Sequence, residues 1–464
     1  MKTSSTFSII EHQAFSKEDL KANFEEKAEI FYEELENFAK NNENFLSFKN
    51  KNTLKAKNYV GIIQTKSGVL EILPKCTDLK NYKEKKDNFL NIPKKKLDNA
   101  YIINDKNEFA NFSYFQDCKI LKNIKIKKWY SLKEINFNPK KLLINMLKTL
   151  KNSPFKNSNI SSLQVSKMPL FEIFITMFLD EFDKVYKKGL LRSYVNCEEN
   201  RAFLKGKLLF NEHIKSNFIH KERFFTSNDE FILDVAPNRL IKSTLNFLKS
   251  KTFINKFKII KAIQMLDEVQ FSKNYAKDFD YKISRHFDYY ENILSWCKIF
   301  LQNKTFTPYE GKNEAFALLF PMEKIFEDYV AYMLKFANPN KNIKTQSSGK
   351  YLANKNGEKC FMLKPDLYIE NEMILDTKWK IPDQNNEDKK HGIAQGDLYQ
   401  MFAYACKFKI YDIKLIYPLC EKTQDLQRKI AEKFFVFKAS EHLYFKEQGQ
   451  KDIKVQVCFA PLPF

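Results

Sequence analysis

FMLKPDLYIENEMILDTKWK, from Phe361 to Lys380, reads as two apolar strands, Phe361 to Ile369 and Met373 to Trp379, joined by the polar turn Glu370, Asn371 and Glu372. Each strand delivers a carboxylate. Pro365-Asp366 lies on the first and Asp376-Thr377-Lys378 on the second, so a hairpin brings two acids and a lysine to one edge. A charge embedded in an apolar strand is costly unless it meets a metal or a counter-charge. The same spacing recurs in Pro382-Asp383 followed by Asp388-Lys389-Lys390, but there Asp383 to Lys390 is wholly polar. The alternative for the first pair is a buried Asp–Lys ion pair without chemistry.

Two acids and a lysine in this order suit hydrolysis of a phosphodiester. That reaction needs a divalent cation to stabilise phosphoryl charge, an activated water and, in many enzymes, a nearby ammonium. Mg²⁺ takes oxygen ligands and keeps several waters, so Asp366 and Asp376 suffice as side-chain ligands, with the Thr377 carbonyl adding one more and Mn²⁺ as the alternative ion. Lys378 shares a strand face with Asp376 and is placed to act on the water.

Working outward, a helix from Pro321 to Phe336 carries Glu323 and Glu327 one turn apart. Glu327 shares its face with Val330, Ala331 and Leu334 and is the expected third ligand; Glu323 is the other candidate, and a plain surface glutamate the alternative reading. A strand within Asn342 to Leu352 follows, then the opening hairpin, a helix from Ile393 to Lys407, and a buried strand from Tyr411 to Tyr417. The second helix sets Asp397, Gln400 and Tyr404 on one face and Leu398, Met401, Phe402 and Ala405 on another. The order, α-β-β-β-α-β, is the core order of the PD-(D/E)xK nuclease fold. Gln400 and Tyr404 after an Asp-x-Lys strand resemble the extra motif of RecB-type nucleases, which implies that this face lines the site, contacts DNA or supports the metal ligands.

The remaining chain reads as two further regions, giving an α+β multidomain protein divided 1–137, 138–310 and 311–464. The first is β-rich and mixed. It opens with a strand from Phe7 to Ile10 and a helix capped by Ser16 and Asp19, with apolar spacing through Leu20, Phe24, Ala28, Phe31 and Leu35. Tyr59 to Gln64 and Val69 to Pro74 form a hairpin about Thr65 to Gly68. Asp78 to Asn99, ending Lys94-Lys95-Lys96, is a polar run that suits a solvated loop or a phosphate-contacting arm. The middle region is mainly helical, with helices over Lys140 to Lys151, Leu170 to Tyr186, Asn238 to Lys249 and His286 to Leu301. Its charged stretch Glu198 to Glu230 suits a solvated face and a DNA-facing one equally.

At 464 residues, 44% hydrophobic and 15% aromatic, the chain holds enough apolar surface for more than one core. A formal charge of +21 suits a polyanionic partner such as nucleic acid, although a Lys-rich proteome produces basic proteins without one. Eight scattered cysteines without a CxxC pair argue against zinc ribbons and disulfide scaffolds. No run is long and apolar enough for a membrane span, so the expected location is the cytoplasm. The six histidines show no metal-ligand spacing. No two of the ten glycines are five apart before a lysine, so a nucleotide-binding P-loop is not expected in this chain.

The order of Tyr59-Val-Gly61, Glu71-Ile-Leu-Pro-Lys75, Gly189-Leu190, Tyr194, Glu199-Asn200, Leu204-Lys-Gly-Lys207, Asp229-Glu-Phe231, Asp234, Asn238-Arg239, Phe326-Glu327, Pro365-Asp366, Asp376-Thr-Lys378 and Tyr399-Gln400 resembles the McrC family, the nuclease subunits of McrBC modification-dependent restriction systems. The resemblance implies an AAA+ GTPase partner, McrB, that reads modified cytosine in double-stranded DNA and translocates. The McrC-like subunit docks on the partner ring through its N-terminal part, stimulates its GTPase, and cuts with its C-terminal part. The competing readings are a stand-alone RecB-like nuclease and a non-catalytic DNA-binding adaptor of a GTPase.

Overall fold

The computed structural model describes residues 6–76, 138–150, 153–157, 168–302, 315–346, 349–382, 390–420, 422–423, 426, 434–439 and 451–462. The polar run of 78–99 and the second Asp-x-Lys match at 383–389 lie outside the described residues. The chain gathers into two compact units. One is built chiefly from 168–310. The other combines the N-terminal segment 4–156 with the C-terminal segment 311–464, which the sequence had placed in separate domains.

The N-terminal segment runs β1 (Thr6–Ile10), β2 (Ala14–Ser16), α1 (Lys17–Phe24), α2 (Ala28–Asn41), β3 (Leu46–Asn50), β4 (Thr53–Ala56), β5 (Tyr59–Gln64) and β6 (Val69–Leu73), followed by α3 (Pro139–Lys148). Asp19 accepts the Ser16 backbone N–H at 2.8 Å, closing the expected box. The apolar spacing that suggests one helix through Leu35 hides a break. Glu25 turns to φ +47, so α1 and α2 are separate helices although Leu20, Phe24, Phe31 and Leu35 are all buried. The β5–β6 hairpin forms as expected, and β1 joins β6 in parallel. Asn138 caps α3 by accepting from the N–H groups of Lys140 and Lys141 at 3.0 and 3.2 Å, with Pro139 in the first turn.

The second unit holds α4 (Leu170–Lys188), β7 (Ser193–Arg201), β8 (Lys207–Leu208), α5 (Phe210–Asn217), β9 (Phe224–Ile232), α6 (Ala236–Lys249), α7 (Lys256–Gln264), α8 (Tyr275–Phe279) and α9 (Tyr290–Leu301). The region expected to be mainly helical leaves the helical pattern at Ser193. Between there and Ile232 the chain forms a three-stranded sheet in the order β7-β9-β8, whose nine-residue ladder pairs Ser193 with Ile232 and Arg201 with Phe224. Polar side chains at most positions mask the strand period. Much of the charge in this stretch is internally paired: Arg201 meets Glu199 at 2.9 Å and Glu230 at 2.8 Å, and Lys205 meets Glu230 at 3.0 Å.

The C-terminal segment opens with β10 (Phe316–Pro321), which pairs antiparallel with β5 and so completes the N-terminal sheet in the order β1-β6-β5-β10. Gly61 makes this possible. At φ +136, a Cβ there would stand 2.0 Å from the Leu318 carbonyl oxygen. Next come α10 (Met322–Ala337), β11 (Ile343–Thr345), β12 (Lys350–Lys355), β13 (Glu358–Leu363), β14 (Leu367–Ile369), β15 (Met373–Thr377), α11 (Gln395–Phe408), β16 (Asp412–Leu419), β17 (Phe434–Phe437) and β18 (Ile453–Pro461). Six of these strands form a sheet in the order β11-β14-β15-β16-β18-β17, with β15, β16 and β18 parallel. The central strands are nearly continuous apolar runs, as burial on both faces requires. Met401, Tyr404 and Ala405 of α11 pack with Ile374, Ile413, Leu415, Val455 and Val457 in one core.

Candidate active site

The opening stretch is not two simple strands. Phe361 to Leu363 belongs to β13, which pairs only with β12 in a separate two-stranded sheet, and Lys364-Pro365-Asp366 leaves the ladder before β14 begins at Leu367. Pro365 has no N–H to offer a ladder, and Phe361 adopts φ +58. The expected single strand in Asn342 to Leu352 is likewise split, into β11 and β12.

This break sharpens the site. Leu367 faces Leu375 across the β14–β15 pair, so the register carried one residue further sets Asp366 opposite Asp376. Thr345 faces Leu367, and the next step sets Gln346 beside Asp366, whose carbonyl accepts the Gln346 N–H at 2.8 Å. Gln346, Asp366 and Asp376 therefore form one row across three strands. Asp376 is the last residue but one of β15 and Lys378 lies one residue past its end, at the carboxyl edge of the parallel strands where α/β sheets bind ligands.

Asp366 is half-buried, and its Oδ2 accepts both the Thr377 N–H at 2.7 Å and the Thr377 hydroxyl at 2.6 Å. Asp376 is 1% exposed. Its Oδ2 lies 2.6 Å from Lys378 Nζ but takes no hydrogen bond of good geometry among the described residues. Burial, reinforced by the neighbouring Asp366 charge, pushes the Asp376 carboxyl up to about 7 against the pull of Lys378. Burial alone disfavours the Lys378 ammonium, yet Asp376, then Asp397 and Asp366, hold it above its ordinary value. Lys378 donates to Gln400 Oε1 at 2.9 Å, and Gln400 Nε2 donates to the Tyr404 hydroxyl at 2.7 Å. Asp376, Lys378, Gln400 and Tyr404 are thus consecutive members of one chain of contacts.

On α10, Glu327 is buried and Glu323 exposed. Burial and then the Asp366 charge raise the Glu327 carboxyl, while Lys324 at 2.9 Å and Gln346, whose Nε2 donates at 3.0 Å, draw it back. Asp397, on the face expected to line the site, contact DNA or support the metal ligands, is buried. It meets Lys380 at 2.9 Å and accepts the Tyr417 hydroxyl at 3.3 Å, so it fastens α11 to the segment following β15.

Among the described residues no three His, Cys, Asp or Glu side chains stand as a ready metal cage. Thr377 occupies Asp366, Lys378 sits against Asp376, and Lys324 and Gln346 engage Glu327. The donor chemistry nonetheless fits a hard divalent cation. The Asp366 charge raises the proton affinity of both Glu327 and Asp376, an environment a cation relieves, and Mg²⁺ completes its shell with water.

Two supports were invisible in the sequence. Gln346, at φ +48, ties Asp366 and Glu327 together through its backbone and side chain. Glu11, 1% exposed at the end of β1, accepts the indole N–H of Trp379 and the Lys75 N–H, while Lys75 Nζ donates to the Trp379 carbonyl at 2.7 Å. The residue after Lys378 is thereby pinned by the N-terminal segment. No local pattern marks either partner, because Glu11 and Trp379 lie 368 positions apart.

A family model described as McrBC 5-methylcytosine restriction system component matches residues 54–418. Among solved structures, a chain of a half-complex from the tetradecameric assembly of Thermococcus gammatolerans McrB AAA+ hexamers with bound McrC superposes with a TM-score of 0.60 at 15% identity, covering 98% of this chain and 95% of that one. A chain of the cryo-EM structure of the Thermococcus gammatolerans McrBC complex follows less closely, with a TM-score of 0.43 at 16% identity over 71% of this chain and 87% of that one. A comparison with curated protein sequences finds no match. No described helix is long and apolar enough to cross a membrane.

Proposed function

The chain belongs to the family of McrBC 5-methylcytosine restriction system components, and from that premise we propose that it is the DNA-cutting subunit of such a complex, with Asp366, Asp376 and Lys378 as its catalytic residues in a PD-(D/E)xK-type core. The observation that carries the reading is the end of β15. There a buried aspartate faces a second aspartate across the sheet, with the ammonium of the lysine two residues on 2.6 Å from its Oδ2.

Asp366 and Asp376, with Glu327 behind them and the Thr377 carbonyl as a further oxygen, would hold Mg²⁺ or Mn²⁺, which when bound supplies charge stabilisation at the phosphoryl oxygens and a more acidic water. Thr377 fixes the carboxylate of Asp366 through two donors, so that its remaining oxygen keeps one direction. Lys378, its ammonium favoured by Asp376, would act as a cation that orients the attacking water or neutralises the phosphate. Gln400 holds Nζ of Lys378 in place, and Tyr404 holds Gln400. Asp397 neutralises Lys380 on the exit side of the strand.

The partner in this reading is an AAA+ GTPase of the McrB kind, which supplies nucleotide hydrolysis and selection of modified double-stranded DNA. The solved relative is described with McrB hexamers bound, and the absence of Gly-x₄-Gly-Lys from this sequence supports the same division of labour. Asp376→Ala and Lys378→Ala, each assayed on methylated duplex DNA with the partner GTPase, GTP and Mg²⁺, should abolish cutting while partner binding and GTP hydrolysis persist. Cutting that survives in both variants would falsify the assignment. Robust digestion of linear DNA by the chain alone, without partner or nucleotide, would favour a free-standing nuclease instead.

A further inference from the structure

The β12–β13 hairpin is inserted into the site. It leaves the sheet after Gln346 and returns at Asp366, so both of its ends attach to residues of the row described above, and β12 runs beside α11, the helix of Gln400 and Tyr404. Its turn is Asn356-Gly357 with φ +51 and +87, both left-handed, which fits the tight two-residue turn of a twisted hairpin. Beyond the turn almost nothing covers it. Lys350, Lys355, Lys359 and Lys364 are all exposed, against the single acid Glu358.

The hairpin also carries a local strain. Its ladder pairs Tyr351 with Met362 and Ala353 with Cys360 but skips the Leu352/Phe361 step. There Phe361 holds φ +58, a conformation unfavourable for an aromatic residue, and its ring is 75% exposed. A buried core would reward neither choice. An exposed aromatic ring splayed from a lysine-rich ribbon suits a surface that offers phosphates and an apolar cleft together.

We infer that the β12–β13 hairpin is a wing that grips duplex DNA beside the scissile phosphate, its lysines along the backbone and Phe361 wedged into the groove. The inference rests on the nuclease reading of the adjoining site. Phe361 stands five positions before Asp366, a reach of at most about 17 Å, so the ring contacts DNA within about five base pairs of the cut. Because the hairpin springs from Gln346 and ends at Asp366, a load on the wing bears on the two residues that hold Glu327 and face Asp376.

The test uses the full chain in EDTA, where no cutting occurs, and a short labelled duplex followed by fluorescence anisotropy across a salt series. Phe361→Gly relieves the left-handed backbone, so its melting temperature should hold or rise, while affinity falls about fivefold or more. The double variant Lys350→Ala/Lys359→Ala should lower the slope of log affinity against log salt by about 2. Unchanged affinity in the first variant, unchanged slope in the second, or no measurable binding by the parent chain overturns the wing. So does a hairpin variant that binds DNA as the parent does but loses stimulation of the partner GTPase, which would make the hairpin a protein-docking element. Asp376→Ala separates the two readings. It should bind the duplex in EDTA as the parent does and fail to cut in the assay with the partner GTPase, GTP and Mg²⁺; if it cuts there, the site assignment falls while the wing stands or falls on anisotropy alone.

Discussion

Each unit of this molecule buries a carboxylate, and the two are treated oppositely. Glu172 on α4 is 5% exposed and fully served: it accepts the Thr252 hydroxyl at 2.7 Å, the N–H groups of Phe253 and Ile254 at 2.8 and 3.2 Å, and Asn255 Nδ2 at 2.8 Å. Asp376 is more deeply buried and is served worse, with a second aspartate opposite and the Lys378 ammonium, 2.6 Å from Oδ2, as its counter-charge. Burial alone is therefore a poor marker of a functional acid. What distinguishes Asp376 is an electrostatic conflict that Lys378 relieves only in part, its carboxyl still held above the ordinary value by burial and Asp366, the condition expected where function is retained at a cost in stability.

The sharpest way to break that contrast is to neutralise both acids. Asp376→Asn should reduce cutting by at least about a thousandfold and yet leave the metal-free fold more stable above neutral pH, read by thermal melting. Glu172→Ala should do the reverse. It strands four donors and should destabilise its unit by about 5 kcal/mol, measured by denaturant titration, with cutting per folded molecule unchanged. An Asp376→Asn variant less stable than the parent would show that Asp376 is a structural acid like Glu172.

Next in size is the pH dependence. The folded-state value of Asp376, about 7, lies above the ordinary aspartate value. The folded state therefore keeps a proton that the unfolded chain has already lost. Stability of the metal-free protein should fall as pH rises from about 4 to about 7 and then level, by up to about 4 kcal/mol from this group. In Asp376→Asn that contribution to the slope should vanish. Equal slopes in parent and variant would mean that Lys378 has already relieved the charge.

Which parts of this contrast were legible in the sequence follows from how far each partner lies along the chain. Asp366, Asp376 and Lys378 stood out because apolar neighbours surround them within a few residues, and Glu327 because Val330, Ala331 and Leu334 share its helix face. The Asn356-Gly357 pair is a local turn marker as well, and it folds Glu358–Leu363 back on Lys350–Lys355 instead of letting Phe361 run on into Ile369. Glu25 broke a helix without any change of apolar spacing. Gln346 and Glu11 gain their meaning from residues 19 and 368 positions away, which no period of 2 or 3.6 encodes. The grouping of the N- and C-terminal segments in one unit depends likewise on Gly61 admitting β10 against β5, a long-range strand pairing.

The smallest effect tests whether Glu327 belongs with Asp376 or with Glu172. Its carboxylate is buried and drawn by Lys324 and Gln346, so from its own contacts it resembles a satisfied acid; from the Asp366 charge beside it, it resembles a ligand. Gln346→Ala removes the side-chain bond to Glu327 but keeps the N–H that holds Asp366. If Glu327 acts in the site, cutting should fall about tenfold, and adding Gln346→Ala to Glu327→Gln should cost nothing more, because the two residues then act as one unit. Gln346→Gly should lose the same activity while being about 1 kcal/mol more stable than Gln346→Ala, since glycine accepts φ +48 without strain. Parental cutting in both single variants would leave Glu327 a structural acid and confine the catalytic set to the row of Asp366 and Asp376 with Lys378.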